Sequence, residues 1–184
     1  MNLYLLLLLI SFVCLGLQYE PLAHFTAWTL PAIEHGQWWR ILTGNFVHTN
    51  FAHLGMNLAA LWLIGFIFKP SAKRLAVLLI SISLIVGTIL LFTSLTWYVG
   101  LSGTLHGLFV SLALKEALEG RKSSWLLFFG AIAKVMWEQT FGAPEETARL
   151  IGAQVAIQAH LIGLCGGCLI SMVLWWYQNH REIK

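Results

Sequence analysis

Aspartate is absent from the 184-residue sequence, and charged residues of all kinds make up only 10% of it. A soluble domain carries about 25% charged residues, so a surface of this composition would not stay dissolved in water. Hydrophobic residues make up 58% of the chain, and the mean hydropathy is +0.75. The composition therefore predicts an integral membrane protein with the lipid bilayer as its surroundings.

Other absences narrow the function. The chain has only three cysteines, all in apolar stretches, which does not suit the disulfide framework of a secreted protein. No basic patch is interleaved with aromatic residues, so no nucleic-acid partner is expected. A His-Glu-x-x-His motif is also lacking, and this argues against an intramembrane zinc protease. We expect neither a bound metal ion nor a cofactor.

Six apolar runs approach the length that crosses a bilayer, which takes about 20 helical residues. They predict an all-α membrane protein with six transmembrane helices, in which residues 1–184 form a single membrane domain without a soluble domain. The first run lacks the basic segment and cleavage site of a signal peptide, so we interpret it as a retained span. The runs are Leu3–Leu17, Phe51–Phe68, Leu75–Leu95, Tyr98–Leu114, Trp125–Trp137 and Ile151–Trp176.

The basic residues predict the orientation of the spans. Cytoplasmic loops are enriched in Lys and Arg, and most basic residues here follow the even-numbered spans, so both termini are expected in the cytoplasm. The stretch from Gln18 to Asn50 then forms a long first outer loop, either anchored at the interface by its tryptophans or packed beside the helices to shape a site. Lys69, Lys73, Arg74, Lys115, Arg121, Lys122, Arg181 and Lys184 fall on the cytoplasmic side, and Arg40, Lys134 and Arg149 fall toward the other.

Three polar clusters lie inside the apolar spans, where polar groups are costly and usually functional. One holds His53 and Asn57 at the start of the second span, one holds Ser102 at the start of the fourth, and one holds His160 about a third of the way into the sixth. These three spans run in the same direction, from outside to inside. The clusters are therefore expected at a similar depth near the outer face.

Glycine spacing predicts how two of these spans approach each other. Gly103 and Gly107 form a face of small residues beside the serine, and Gly163 and Gly167 share a face with the histidine of the sixth span. Such faces allow helix backbones to pack closely. The serine and that histidine are therefore expected within hydrogen-bond reach.

This pairing predicts acyl-transfer chemistry. Ser102 needs a base to become a nucleophile, and His160 is the best placed to be that base. Because the chain has no aspartate and no glutamate at these depths on the second, fourth or sixth span, we expect a dyad without an anionic partner. His53, Asn57 and the backbone N–H of Ser102 are expected to donate to the tetrahedral oxyanion.

The same residues resemble the rhomboid family of intramembrane serine proteases, with motifs spread over the whole chain. The resemblance implies a rhomboid-like bundle of six transmembrane helices, Ser102 as nucleophile, His160 as base, and His53 with Asn57 at the oxyanion. It rests on four motifs in order: Trp39-Arg40, then His48/His53/Asn57, then Gly100–Gly103 with Gly100 before the serine, then Ala159–Gly167.

One departure indicates a branch of that family. Many rhomboids carry a tyrosine four residues after the serine, where it packs on the catalytic histidine, and this chain has His106 there. Together with the short chain and the stretch from Lys134 to Gln139, this resembles the rhombosortase branch. That branch implies a bacterial inner-membrane enzyme whose site opens to the periplasmic side. Its substrates would be exported, membrane-anchored proteins with a C-terminal transmembrane tail of the GlyGly type, and the acyl-enzyme would pass to water or to an amine acceptor.

Several residues keep two interpretations. Lys134 and Glu138 are four residues apart on the fifth span and form either an intramembrane ion pair or part of the substrate or acceptor site. His106 either supports His160 or serves helix packing, and His48 either belongs to the site or only holds the first loop.

Two other functions compete with proteolysis. A non-catalytic rhomboid-like adaptor would bind client helices without cleaving them, although the presence of both Ser102 and His160 argues against it. A haem carrier would use histidines on neighbouring spans as axial ligands, but this leaves Ser102 and Asn57 without a role.

Overall fold

A computed structural model describes residues 2–181 of the chain, so Lys184, which entered the orientation argument, lies outside the described residues. The expected all-α bundle is confirmed. Within residues 2–181, three segments are long and apolar enough to cross a membrane, namely Phe51–Phe68, Ala72–Phe92 and Ile157–Gln178. The six longer helices are α1 (Leu3–Gly16), α5 (Phe51–Phe68), α6 (Ala72–Ile89), α7 (Ser102–Leu118), α8 (Ser123–Phe141) and α10 (Ile157–Arg181).

Two predicted span boundaries are wrong. The fourth span was expected from Tyr98, but Tyr98 lies in a short strand and α7 begins at Ser102. The sixth was expected from Ile151, but that residue ends a separate helix, α9 (Glu145–Ile151), and α10 begins at Ile157. Hydropathy is high across both junctions, whereas the backbone turns there at Gly100 (φ +121°) and Gly152 (φ +67°). His160 is consequently the fourth residue of its helix rather than a third of the way along it.

The first loop is structured and packs against the bundle, as one of the two interpretations held. Trp28 is fully buried, and its indole N–H donates to the carbonyl of Gly87 on α6 over 2.9 Å. Arg40 is also buried and donates to backbone carbonyls within the loop. The loop contains α2 (Leu22–Thr26), β1 (Trp28–Thr29), α3 (Leu30–Glu34), α4 (Arg40–Thr43) and a 3₁₀ turn (Gly44–Phe46).

A two-stranded contact joins this loop to the segment that precedes α7. β1 pairs in antiparallel register with β2 (Trp97–Tyr98), which follows a 3₁₀ turn (Leu90–Phe92), so that Trp28 lies opposite Tyr98. A buried polar network continues the connection, because the Asn45 amide donates to the Ser83 carbonyl over 3.2 Å and accepts from the Thr104 hydroxyl over 3.1 Å. The first loop, α6 and α7 are therefore held together.

Helices α7 and α10 meet backbone to backbone. A Cβ placed on Gly163 would lie 1.9 Å from the carbonyl oxygen of Gly103, and one on Gly167 would lie 2.1 Å from that of Gly107. No side chain fits at either place, so the predicted close approach of these helices through glycine is confirmed. This contact sets the distance between the N-terminal ends of α7 and α10.

We predict that Gly163→Ala destabilises the protein, because the added methyl must push α7 and α10 apart. The cost is expected to be about 2 kcal/mol, within the range for overpacking, as measured by thermal unfolding in detergent micelles. Gly130→Ala on α8 is the matched control, since a Cβ there has no heavy atom of the described residues within 4 Å. An equal loss of stability in both variants would contradict the close contact between α7 and α10 at Gly163.

Candidate active site

Ser102 is the first residue of α7 and follows a tight turn. Gly100 in this turn has φ +121°, a conformation that favours glycine, and a Cβ there would lie 2.7 Å from the ring of His53. The turn is held from two sides, since the Gly100 N–H donates to the Gly44 carbonyl over 3.2 Å and the Tyr98 hydroxyl donates to the Gly100 carbonyl over 2.6 Å. Glycine at position 100 therefore lets His53 lie beside the serine.

Ser102 and His160 lie in hydrogen-bond contact. The Ser102 hydroxyl is 2.9 Å from His160 Nε2, the distance at which it can donate its proton to that nitrogen. His160 is 4% exposed and belongs to the first turn of α10, beside the glycine contact with α7. The two residues are 58 positions apart in the chain, so only helix packing brings them together.

The expectation that His160 has no anionic partner is wrong. Glu138 Oε2 lies 2.9 Å from His160 Nδ1, and both side chains are buried. The sequence argument considered acidic residues on the second, fourth and sixth spans only, whereas Glu138 reaches the histidine from α8, the fifth. The available signal was a glutamate inside an apolar span, because a buried carboxylate needs hydrogen-bonding partners.

Lys134 and Glu138 form an ion pair, which was one of the two interpretations of these residues. Lys134 Nζ lies 2.8 Å from Glu138 Oε1, and the lysine side chain is 47% exposed while the glutamate side chain is 7% exposed. The same ammonium lies 2.7 Å from His106 Nε2. Lys134 therefore joins two side chains that both contact His160.

His106 packs face to face on His160, at the place where many rhomboids carry tyrosine. The ring centroids are 4.1 Å apart and the planes are tilted by 24°. His106 Nδ1 is 2.7 Å from the backbone carbonyl of Ser102. The interpretation of His106 as support for His160 therefore has a geometric basis.

His53 and Asn57 lie on one face of α5 and are both buried. The Asn57 amide donates to the backbone carbonyl of His53 over 3.1 Å. Thr49, which sequence analysis did not single out, places its hydroxyl 3.1 Å from His53 Nδ1 and donates to the carbonyl of Ile151 over 2.6 Å. Thr49 thus connects His53 to the end of α9, and its position within the His-Thr-Asn sequence was the only signal for it.

His48 supports the first loop more directly than it supports the serine. Its ring meets that of His53 edge to face at 5.0 Å, and its carbonyl accepts from the Gln18 side chain over 3.2 Å. Burial lowers the pKa of His48, which precedes α5, to about 3. His48 therefore packs as a neutral ring between the loop and His53.

His106, Glu138 and His160 are close enough to be considered as metal ligands, since one ligand atom of each lies within 4.8 Å of the others. The Lys134 ammonium, however, contacts both His106 and Glu138. A metal cation at this place would have to displace that positive charge. The cluster therefore suits hydrogen bonding better than metal ligation.

Two cavities meet at the serine. The outer cavity, of about 330 Å³, is lined mostly by residues outside the long helices, which include Thr49, Trp97 and Gln154. The lateral cavity, of about 340 Å³, reaches the surface between α5 and α8 at the exposed residues Met56 and Lys134. Both are lined by Ser102, so the hydroxyl is accessible from the loop side and from the side of the bundle.

The helical bundle and this site define an α-helical membrane protein that carries a serine–histidine–carboxylate arrangement of the kind found in serine hydrolases. Residues 35–177 match the family model described as Rhomboid domain, so the chain belongs to the rhomboid family, as its motifs predicted.

Two relatives from Bacillus subtilis (strain 168) share this family. The chain is 29% identical over 154 residues to the protein named "Putative rhomboid protease YdcA", covering 77% of this chain and 69% of that protein. Over 46 residues it is 44% identical to "Rhomboid protease GluP", covering 25% of this chain and 9% of that protein. The second similarity is thus confined to a short segment.

We predict that Gly100→Ala destabilises the protein by about 1–3 kcal/mol more than Gly36→Ala, measured by thermal unfolding in detergent. Both glycines have positive φ, so both substitutions strain the backbone, but only the Cβ at position 100 meets another residue. Gly36 has no heavy atom of the described residues within 4 Å of such a Cβ. Equal losses of stability in the two variants would show that the contact with His53 does not require glycine at position 100.

Proposed function

We propose that this protein is an intramembrane serine endopeptidase in which Ser102 is the nucleophile and His160 is the general base. The observation that carries the proposal is the 2.9 Å contact between Ser102 Oγ and His160 Nε2 at a point where two cavities meet. Membership of the rhomboid family and the names of both relatives support it. Ser102 attacks the substrate carbonyl while His160 takes the hydroxyl proton and later gives it to the leaving amine.

The oxyanion of the tetrahedral intermediate would form at the start of α7. Ser102 is the first residue of that helix, and the first N–H groups of a helix have no carbonyl partner within it. The partial positive charge of the helix N-terminus also favours an anion there. His53 and Asn57 line the lateral cavity together with Ser102, which supports their proposed role as further donors.

We propose that the substrates are membrane-anchored proteins with a C-terminal transmembrane tail of the GlyGly type, as the resemblance to rhombosortases implies. The lateral cavity supports this, because it reaches Ser102 from the side of the bundle, where a helix in the bilayer would arrive. Both cavities are small, and an extended glycine segment needs little room and unwinds readily, since glycine has low helix propensity. The acyl group would then pass to water or to an amine acceptor.

The proposed location is a bacterial inner membrane, with the termini in the cytoplasm and the site opening to the periplasm. Ser102, His53 and His160 all lie at the N-terminal ends of their helices. The basic residues Lys69 and Arg121 follow the C-terminal ends of α5 and α7, at the opposite side of the bundle. This separation supports the proposed orientation, because basic loops stay in the cytoplasm.

A fluorophosphonate probe tests the nucleophile. We predict that it labels the wild-type protein in lipid, that Ser102→Ala is not labelled, and that His160→Ala is labelled about 100-fold or more slowly because the base is lost. Ser111→Ala is the matched control, since it removes a buried hydroxyl from the same helix that contacts Ser171 instead. Absence of labelling in folded wild-type protein would favour the non-catalytic adaptor that binds client helices.

A co-expressed client tests the substrate class. We predict cleavage of a reporter whose C-terminal tail carries Gly-Gly before an apolar helix and basic residues, and no cleavage of the same tail with Leu-Leu, which keeps the helix intact. Mass analysis of the product distinguishes hydrolysis from transfer, since hydrolysis leaves a free carboxylate and transfer to an amine leaves an amide. If both tails are cleaved equally and cleavage requires Ser102, the protein is a protease but has no preference for a GlyGly tail.

A further inference from the structure

The Glu138 carboxylate uses each of its oxygens for a different partner. Oε2 faces His160 Nδ1 at 2.9 Å, and Oε1 faces Lys134 Nζ at 2.8 Å. The lysine and the glutamate are one helical turn apart on α8, so both side chains come from one rigid element. The carboxylate is thereby fixed in position between a cation and the imidazole.

The charges at this place are balanced. A carboxylate buried inside a membrane-spanning segment is costly unless it is paired with an opposite charge. Lys134 provides that charge, while its own side chain remains 47% exposed. Lysine can hold its ammonium near the polar surface by extending its apolar stem. Glu138 can therefore stay ionised and accept a hydrogen bond from His160.

Lys134 also reaches His160 by a second path. An ammonium group only donates hydrogen bonds, so His106 Nε2, 2.7 Å away, must accept. His106 Nδ1 then carries the proton and donates to the Ser102 carbonyl over 2.7 Å. The ring of His106 is fixed in this state and lies against the face of His160 at 4.1 Å.

We propose that Lys134 and Glu138 form a positioning pair that holds His160 in its Nδ1–H tautomer, so that Nε2 is free to accept the proton of Ser102. This inference rests on the proposed serine protease function. As the Ser102 oxygen bonds to the substrate carbonyl carbon, its proton moves to His160 Nε2 and the carbonyl electron pair moves to the oxyanion. Glu138 stabilises the imidazolium without taking its proton, and the proton later passes to the leaving amine. The site then acts as a serine–histidine–glutamate triad.

Glu138→Gln tests the tautomer. Lys134 can only donate, so the amide oxygen of the glutamine turns toward it, and the amide NH₂ turns toward His160 Nδ1. Nδ1 must then accept, the ring proton moves to Nε2, and Nε2 can no longer accept from Ser102. We expect the maximal rate of fluorophosphonate labelling to fall by about 100-fold or more, because the wrong histidine tautomer alone lowers turnover by about 10⁴ in a serine–histidine–aspartate triad. The half-saturating probe concentration should change little.

The double variant Lys134→Met/Glu138→Gln distinguishes positioning from a merely structural role. Without the ammonium, the glutamine oxygen is free to accept from His160 Nδ1–H, so labelling should recover by about 10-fold or more relative to Glu138→Gln alone, although the contacts of Lys134 with position 138 and with His106 are both lost. Removing both charges of a buried pair is also less costly than removing one. If Glu138→Gln fails to fold, the double variant is therefore compared with the wild type, where labelling within about 10-fold of the wild-type rate is expected and labelling slower by about 100-fold or more would overturn the proposal. Labelling that is as slow as in Glu138→Gln, or wild-type labelling in Glu138→Gln itself, would overturn the proposal.

Nitrogen-15 spectra of histidine-labelled protein in lipid nanodiscs give a readout that does not depend on activity. The His160 signals are assigned through their loss in His160→Ala. We expect the Nδ1–H tautomer in the wild type and in the double variant, and the Nε2–H tautomer in Glu138→Gln. If the fluorophosphonate probe does not react with the wild type but the tautomers change as expected, the proposed protease function is wrong while the positioning pair is supported. An unchanged His160 tautomer in Glu138→Gln would overturn the proposal that Lys134 and Glu138 set the tautomer.

Discussion

The close contact between α7 and α10 is the constraint on which the site depends. Each helix contributes one half of the serine–histidine contact, and their distance is set where the backbones of Gly103 and Gly163 touch. In a bilayer the hydrophobic effect does not drive helices together, so close packing of small residues has to provide the attraction. A methyl group at this point would separate two side chains that need to lie within about 3 Å of each other.

A second constraint comes from electrostatics in the apolar interior. Glu138 is the only acidic residue with a buried side chain among residues 2–181, and the fold places two hydrogen-bonding partners against it. The result is a chain of contacts that runs from Lys134 through Glu138 to His160, and from Lys134 through His106 to the Ser102 carbonyl. Such a connected network of hydrogen bonds favours one arrangement of its members. It also means that the residues around the proposed nucleophile act together rather than independently.

The first loop contributes to the same arrangement from the other side. Its buried Asn45 contacts both α6 and α7, and its Gly44 carbonyl accepts from Gly100 in the turn before the serine. Cysteine cross-links are not involved, since the cysteines are free. The turn that presents Ser102 is therefore held by hydrogen bonds from a segment more than 50 residues earlier in the chain. The rigidity of this turn follows from the loop as much as from the helices.

The bilayer setting, the number of long helices and the serine–histidine pair were predictable from the sequence, because each leaves a local signal. Apolar runs are visible as hydropathy, as for Phe51–Phe68, and glycine spacing is visible beside Ser102 and His160. The position of Glu138 opposite His160 was decided only by the tertiary structure. Hydropathy shows that a charge lies inside a span, but not which neighbour it faces, since this depends on the rotation and packing of α8 against α10. The start of α7 was missed for a related reason, because β pairing with the first loop, rather than local apolarity, determines where that helix begins.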